Sequence, residues 1–183
     1  SKDMLIGVMI YAYKNKRLDI LERMMHYGRN KFWFMGEGRD FGLDTLMGPV
    51  ERSLLARAIE SLGGGEQPES EIPLVFQPCS DDPFYGTDCH LTLLYIYLGS
   101  EIRGGITVDE LAVLNSAVKR SPGNPFFQAM LGKYDADSRG IEKAIDALLR
   151  EDLWPSTRLP TGTDRCENWL IRRYDDDAPA YRD

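Results

Sequence analysis

The feature that most constrains the fold is a helical spacing of apolar residues, which recurs in separate segments along most of the chain. Apolar side chains three and four positions apart form one face of a helix, whereas a half-buried strand alternates at every second position. No segment shows convincing strand alternation. The spacing therefore predicts an all-α fold. The predicted helices are residues 2–15, 18–27, 49–62, 90–102, 107–119, 124–131 and 141–149.

Local signals at the segment ends support this interpretation. Pro49 suits the first turn of a helix, and the glycines at 63–65 are typical of a helix end. Thr107, followed three residues later by Glu110, predicts a capping box. Gly28 follows the second segment and predicts a left-handed stop for that helix.

The short connection between the first two segments predicts how the helices are arranged. A turn at residues 15–16 is so short that the two helices should form an antiparallel hairpin. One arrangement of such hairpins is part of an α/α toroid, in which hairpins surround a cleft. The alternative is a tetratricopeptide-like solenoid, best supported by residues 124–150. No clean repeat of about 34 residues recurs, which favours the toroid-like arrangement.

The chain length fits a single helical-hairpin domain over residues 1–183, with a mostly irregular segment at 151–183. The sequence begins within a helical pattern, which is expected of a processed protein or of part of a longer chain. With 22 Lys and Arg against 29 Asp and Glu, the net charge is −7. An acidic balance argues against a nucleic-acid partner, since phosphate binding needs a basic face. No apolar run reaches the roughly 20 residues that would span a membrane.

Three cysteines bear on the compartment and on metal binding. Cys79 and Cys89 flank a loop rich in Asp, Pro and Gly, which is a plausible place for a disulfide. Cys166 is left over, and three reduced cysteines in a cytosolic protein remain the alternative. There is no Cys-x-x-Cys spacing, and His26 and His90 are the only histidines. We therefore predict neither a metal site nor a cofactor.

The stretch Lys31–Met47, KFWFMGEGRDFGLDTLM, reads as a long aromatic and acidic loop between two helices. Loops of this kind often carry the functional residues of a rigid scaffold. Glu37 lies between two glycines, so its carboxylate should be accessible, and the aromatic rings of Trp33 and Phe34 could raise its pKa by excluding water. The alternative is an exposed turn residue beside aromatic side chains that fill the core.

Cleavage of a glycosidic bond needs a carboxylic acid and a carboxylate on either side of that bond. Glu37 is the best candidate acid or base, Asp3 is the candidate for the second carboxylate, and Trp33 could stack on a sugar ring. Asp3 has a simpler explanation as a first-turn acid that complements the helix dipole.

A second pattern suggests lyase chemistry. Tyr85 ends a long loop, and His90 lies in the first turn of the next predicted helix. A Tyr/His pair could supply the acid and base that remove a proton beside a uronate carboxylate. Arg39 is the candidate for neutralising that carboxylate. The alternative is that Tyr85 anchors its loop and that His90 packs in an apolar helix.

Three segments carry a resemblance to a known class of proteins. They are the opening SKDMLIGVMIYAYKNKRLDILERMMHYG with the following Trp-x-Met-Gly-Glu-Gly loop, SPGNPFFQAMLGKYD, and LPTGTDRCENWLIRRYD. Together they resemble bacterial exported proteins of the α/α-toroid type. The resemblance implies the six-hairpin architecture of glycoside hydrolases and polysaccharide lyases. The predicted helices make up only about half of such a ring, so either part of the ring is missing or the fold is an arc.

The sequence-based hypothesis is therefore a carbohydrate-active, exported bacterial protein. It would act on a polysaccharide as a hydrolase or lyase through carboxylate acid/base chemistry. The competing hypothesis is a non-catalytic helical scaffold with a protein partner, in which the aromatic loop only packs.

Overall fold

A computed structural model of the protein describes residues 2–35, 46–76, 87–120 and 122–149. Over these residues the fold is all-α, with seven α-helices and no β-strand beyond an isolated bridge, so the predicted fold class is confirmed. The toroid-like or solenoid arrangement stays a prediction. The helices are α1 Lys2–Lys14, α2 Leu18–Asn30, α3 Pro49–Ser61, α4 Thr87–Arg103, α5 Val108–Arg120, α6 Pro125–Tyr134 and α7 Gly140–Leu149.

The chain divides into two compact units, and neither is continuous in sequence. Unit 1 comprises Ser1–Val75 and Leu94–Gly105, and unit 2 comprises Phe76–Leu93 and Ile106–Asp183. Helix α4 therefore gives its first turns to unit 2 and the remainder to unit 1. Residues 151–183, predicted to be mostly irregular, lie outside the described part of the chain.

In unit 1, α1 packs on α2, and α3 packs on both of them. The turn between α1 and α2 places Lys16 at φ 53, and the amide of Arg17 donates to the carbonyl of Ala12 at 2.8 Å. Apolar side chains of the three helices are fully buried between them, which stabilises the unit by removing their surface from water. These side chains are Ile6, Met9, Ala12, Leu21, Leu54, Leu55, Ala58 and Ile59.

The predicted stop of α2 at Gly28 is wrong. The helix continues to Asn30, and Gly28 is buried within it. The positive-φ conformation comes later, at Phe32 and Trp33. The lack of a Cβ at residue 28 serves packing instead, since a Cβ there would lie 2.7 Å from Cε3 of Trp33.

The predicted signals around α3 are confirmed. Pro49 occupies the first turn, and the helix ends at Ser61 just before Gly63, whose φ is +89. The connection that follows contains a short 3₁₀ helix, Pro68–Glu71. Arg29 of α2 holds this helix through hydrogen bonds to both carboxylate oxygens of Glu69.

Helix α4 is buried along most of its length, as its apolar composition predicts. From Cys89 to Ile102 no residue is exposed, and Leu93, Ile96 and Leu98 are fully buried. Cys89 is disulfide-bonded. Cys79, its predicted partner, lies outside the described residues, and so does Cys166.

In unit 2, side chains cap the starts of α5 and α6, and the capping box at α5 is the one that the sequence predicts. The Thr107 amide donates to Glu110 Oε2 at 2.9 Å, and the Glu110 amide donates to Thr107 Oγ1 at 3.2 Å, which is a complete capping box. At the start of α6, Asn124 Oδ1 accepts from the amides of Phe126 and Phe127 at 2.9 and 3.2 Å. Each cap satisfies amide groups that a helix start would otherwise leave unpaired.

Helices α6 and α7 approach so closely that their backbones touch. A Cβ added at Gly140 would lie 2.2 Å from the carbonyl oxygen of Gln128 and 2.6 Å from the amide nitrogen of Gly132. A Cβ added at Gly132 would lie 2.4 Å from the amide nitrogen of Ile141. Only glycine fits at these two positions without moving backbone atoms.

Candidate functional site

The strongest candidate for a functional site is the base of the Lys31–Met47 loop in unit 1. The Trp33 amide donates to the carbonyl of Gly28 at 2.6 Å, and the Met47 amide donates to the carbonyl of Trp33 at 2.9 Å. Phe34 and Leu46 form an isolated antiparallel bridge. These contacts bring the two described ends of the segment together.

Two consecutive residues at this base adopt the left-handed conformation. Phe32 has φ 51 and Trp33 has φ 69. A side chain in this region costs of order 1–3 kcal/mol per residue, and it persists only where the surrounding contacts impose it. Such strain is concentrated at functional segments of proteins. Lys16 is also left-handed, but the loop base differs from that turn in having two such residues in succession.

The contacts that impose this geometry centre on the indole of Trp33. The guanidinium carbon of Arg52 lies 4.7 Å from the ring centroid, which is a cation–π contact. Arg52 Nε also donates to the carbonyl of Met47 at 2.8 Å. On the helix side, Cε3 and Cζ3 of the ring lie against the backbone of Gly28. Trp33 as a whole residue is half-buried.

A buried carboxylate lies directly behind the loop base. Glu51, in the first turn of α3, is 4% exposed and accepts a hydrogen bond from the Tyr95 hydroxyl at 2.5 Å. Its other carboxylate oxygen would lie 2.8 Å from a Cβ at Gly48, the residue after Met47. Because the pair is buried, its evident effect is to fix α3 to α4 beneath the loop.

Sequence reasoning missed Glu51, Arg52 and Tyr95. One signal was available for Glu51, because it lies three and four residues before Leu54 and Leu55, on the apolar side of α3. A carboxylate in an apolar stripe is expected to be paired. Its partner lies 44 residues away, and no local pattern could have identified it.

Few of the predicted site residues lie in the described part of the structure. Trp33 is at the loop base, where it closes the loop. Glu37, Arg39 and Tyr85 lie outside the described residues, and for Asp3 only the backbone, within α1, is described. The convergence of Glu37, Asp3 and His90 at one cleft stays a prediction.

His90 is described, and it packs against aromatic rings in unit 2. It is half-buried, and its ring centroid lies 5.1 Å from those of both Phe126 and Phe127. The packing explains why a histidine is compatible with the first turn of an otherwise apolar helix. Its catalytic role stays a prediction.

Within the described ranges, no group of three or more His, Cys, Asp and Glu residues is arranged to hold a metal ion. None of the helices described is long and apolar enough to cross a membrane.

Comparisons with known proteins gave no match: no family model, no curated protein and no solved structure is similar to the chain at a significant level. The resemblance to exported α/α-toroid proteins therefore stays a prediction.

Proposed function

We propose that the protein acts on a glycan, as a polysaccharide hydrolase or lyase, and that the Lys31–Met47 loop carries its site. The observation that supports this proposal best is the loop base, where strained backbone at Phe32 and Trp33 is held by contacts from α2 and α3. A strained geometry that is fixed from several sides is typical of segments under functional constraint.

The proposed roles follow from side-chain chemistry. Glu37 acts as the general acid or base, and Asp3 supplies the second carboxylate of a hydrolase. The Trp33 ring contacts a sugar, because a flat aromatic surface can stack on the apolar face of a pyranose. In the lyase version, Tyr85 and His90 transfer the proton and Arg39 neutralises a uronate carboxylate.

An exported location is part of this proposal. The disulfide at Cys89 supports it, because disulfides persist in the periplasm and outside cells and are rare in the cytosol.

The test compares the protein with its Glu37→Gln variant on a panel of neutral and uronate-containing polysaccharides, scoring reducing ends and unsaturated products. Glu66→Gln is the matched control, since Glu66 also follows glycine in a loop and is exposed. We expect Glu37→Gln to reduce turnover by at least about a hundredfold, the range typical of general acid or base removal, with an unchanged Tm. Failure to bind or cleave any glycan of the panel would reject the proposal.

A second candidate function, a protein-binding helical scaffold, is favoured by the outer face of α7. Four large apolar side chains on this helix are 47–77% exposed, at a spacing that places them on one face: Ile141, Ile145, Leu148 and Leu149. Exposed apolar faces of this kind mark interaction surfaces. A scaffold function predicts that Glu37→Gln has no effect in any glycan assay, whereas Ile145→Glu with Leu148→Glu reduces self-association in sedimentation experiments.

A further inference from the structure

A pocket in unit 1, away from the loop base, has a composition that suits a charged small molecule. It has a volume of about 320 Å³, at the lower end of the range for small-molecule sites. It is formed by the C-terminal turns of α3, the C-terminal turns of α4 and Leu74. Its lining residues are Arg57, Glu60, Ser61, Leu74, Gly99, Ile102 and Arg103.

The first basic group of the pocket, Arg57, is held in place by neighbouring oxygens. Its Nε donates to Ser53 Oγ at 3.1 Å, and its Nη2 donates to the carbonyl of Ile72 at 3.4 Å. Ser53 Oγ itself donates to the same carbonyl at 2.7 Å. A guanidinium has five N–H donors, so these two bonds orient the group and leave donors for a ligand. Arg57 is half-buried, which strengthens its interaction with an anion.

The second basic group, Arg103, lies back along α4 over Gly99. Its Nη1 is 3.0 Å from the position that a Cβ of residue 99 would take, and its Cζ is 3.7 Å from that position. Glycine inside a helix costs about 1 kcal/mol relative to alanine. The place of Gly99 in α4 is explained by the space that it gives to the guanidinium.

The rest of the lining limits what the pocket can hold. Glu60 contributes one negative charge, and its Oε1 accepts from the Gln67 amide at 2.7 Å. The lining contains two guanidinium groups and one carboxylate. Leu74 and Ile102 add apolar surface. A ligand that suits this lining carries an anionic group at one end and hydroxyl groups that can donate to Glu60.

We propose that this pocket binds a small polyhydroxylated molecule that carries an oxyanion, either a carboxylate or a phosphate, on Arg57 and Arg103. Arginine is suited to both anions because its planar fork donates two parallel hydrogen bonds to two oxygens. The proposal does not depend on catalysis by the Lys31–Met47 loop.

The test is calorimetric titration at low ionic strength with four probes: D-glucuronate, glucose 6-phosphate, inorganic phosphate and D-glucose. We expect one of the two charged sugars to bind at least about tenfold more tightly than glucose, because loss of a charge-assisted pair costs about 1.4 kcal/mol or more. Tighter binding of glucuronate identifies a carboxylated ligand, and tighter binding of glucose 6-phosphate identifies a phosphorylated one. If neither charged sugar binds more tightly than glucose, or if inorganic phosphate binds as tightly as either of them, the proposal is wrong.

Two variants connect binding to the pocket. Arg103→Gln should weaken binding of the preferred sugar by about tenfold, and Arg23→Gln, at an exposed position of α2, is the matched control. Gly99→Ala should also weaken binding, because its methyl group displaces the guanidinium of Arg103. The same change should leave the Tm unchanged or higher, since alanine favours the helix and Arg103 can move. Unchanged affinity in both pocket variants would overturn the proposal even if a charged sugar binds elsewhere.

Discussion

Each unit contains a close contact that only glycine permits, but the group that packs against the glycine differs between the two units. In unit 1, a side chain, the indole of Trp33, packs against Gly28 at the base of the loop. In unit 2, the backbone of each helix packs directly against Gly132 or Gly140 of the other helix, where α6 meets α7. A side chain can rotate away from an added methyl group, whereas a helix backbone can move only with the helix. The loop base should therefore be adjustable, and the α6–α7 contact should not.

The largest expected effect is that of Gly140→Ala. The new methyl group would meet the carbonyl oxygen of Gln128 at 2.2 Å, and neither helix can yield locally. We expect a loss of about 3–5 kcal/mol in the free energy of unfolding, measured by urea titration with circular dichroism. Gly105→Ala is the control, since a Cβ there would meet nothing within 4 Å. Equal stability of the two variants would contradict the backbone contact.

Gly28→Ala tests the other side of the comparison. The methyl group would lie 2.7 Å from Cε3 of Trp33, so the ring must shift and its contact with Arg52 must change. We expect a smaller loss, about 1–2 kcal/mol, together with a change in tryptophan fluorescence. A loss as large as that of Gly140→Ala would show that the loop base is as rigid as the α6–α7 contact.

Gly7→Ala separates packing from helix propensity. Gly7 is exposed in the interior of α1, and a Cβ there would meet nothing within 4 Å. Alanine should therefore stabilise the protein by up to about 1 kcal/mol. A destabilising result would mean that the exposed face of α1 is covered in solution.

Arg52 variants examine the side-chain contacts of the loop base. Arg52→Ala removes the cation–π contact with Trp33 and the hydrogen bond to the Met47 carbonyl, and we expect a loss of about 1–2 kcal/mol. Arg52→Lys keeps the charge but lacks the planar group, so most of the loss should remain. If lysine restores full stability, charge alone holds the loop base.

The smallest effect concerns acid, and it should affect unit 1. The hydrogen bond from Arg29 lowers the pKa of Glu69 below its ordinary value, and partial burial opposes this. Because the folded state holds this proton less tightly than the unfolded state, the pair contributes stability above the ordinary carboxyl pKa. That contribution is lost as the pH falls through the lowered pKa. We expect it to be at most about 1 kcal/mol, as for partly exposed pairs, and Glu69→Gln should remove this part of the pH dependence.

Local signals in the sequence predicted most of the fold. The capping box of Thr107 and Glu110 and the Asn124 cap involve atoms within three residues of each other, so a short pattern contains the whole interaction. Gly28 shows the limit of such signals, because a glycine near a helix end can serve two purposes. A left-handed stop depends only on the local chain, whereas the observed role depends on an indole that packs against it.

The candidate site was less predictable because its contacts are distant in sequence. The loop was identified from its aromatic and glycine content, but the residues that hold it, Arg52 and the Glu51–Tyr95 pair, come from other elements. The pocket shows the same limit, since Arg57 and Arg103 lie 46 positions apart and approach one cavity only after α3 and α4 have packed. Helical periodicity places residues on faces, but it does not tell which faces meet.

The division of α4 between the units has a consequence for synthesis of the chain. Unit 1 is incomplete until Leu94–Gly105 has left the ribosome, and by then only Phe76–Leu93 of unit 2 has emerged with it. In the nascent chain, the first turns of α4 therefore emerge before most of unit 2, the unit to which they belong. The remaining turns of the same helix join the helices of unit 1, which were made earlier. A protease that cuts the chain once anywhere between Phe76 and Gly105 would leave neither unit with all of its parts on one fragment.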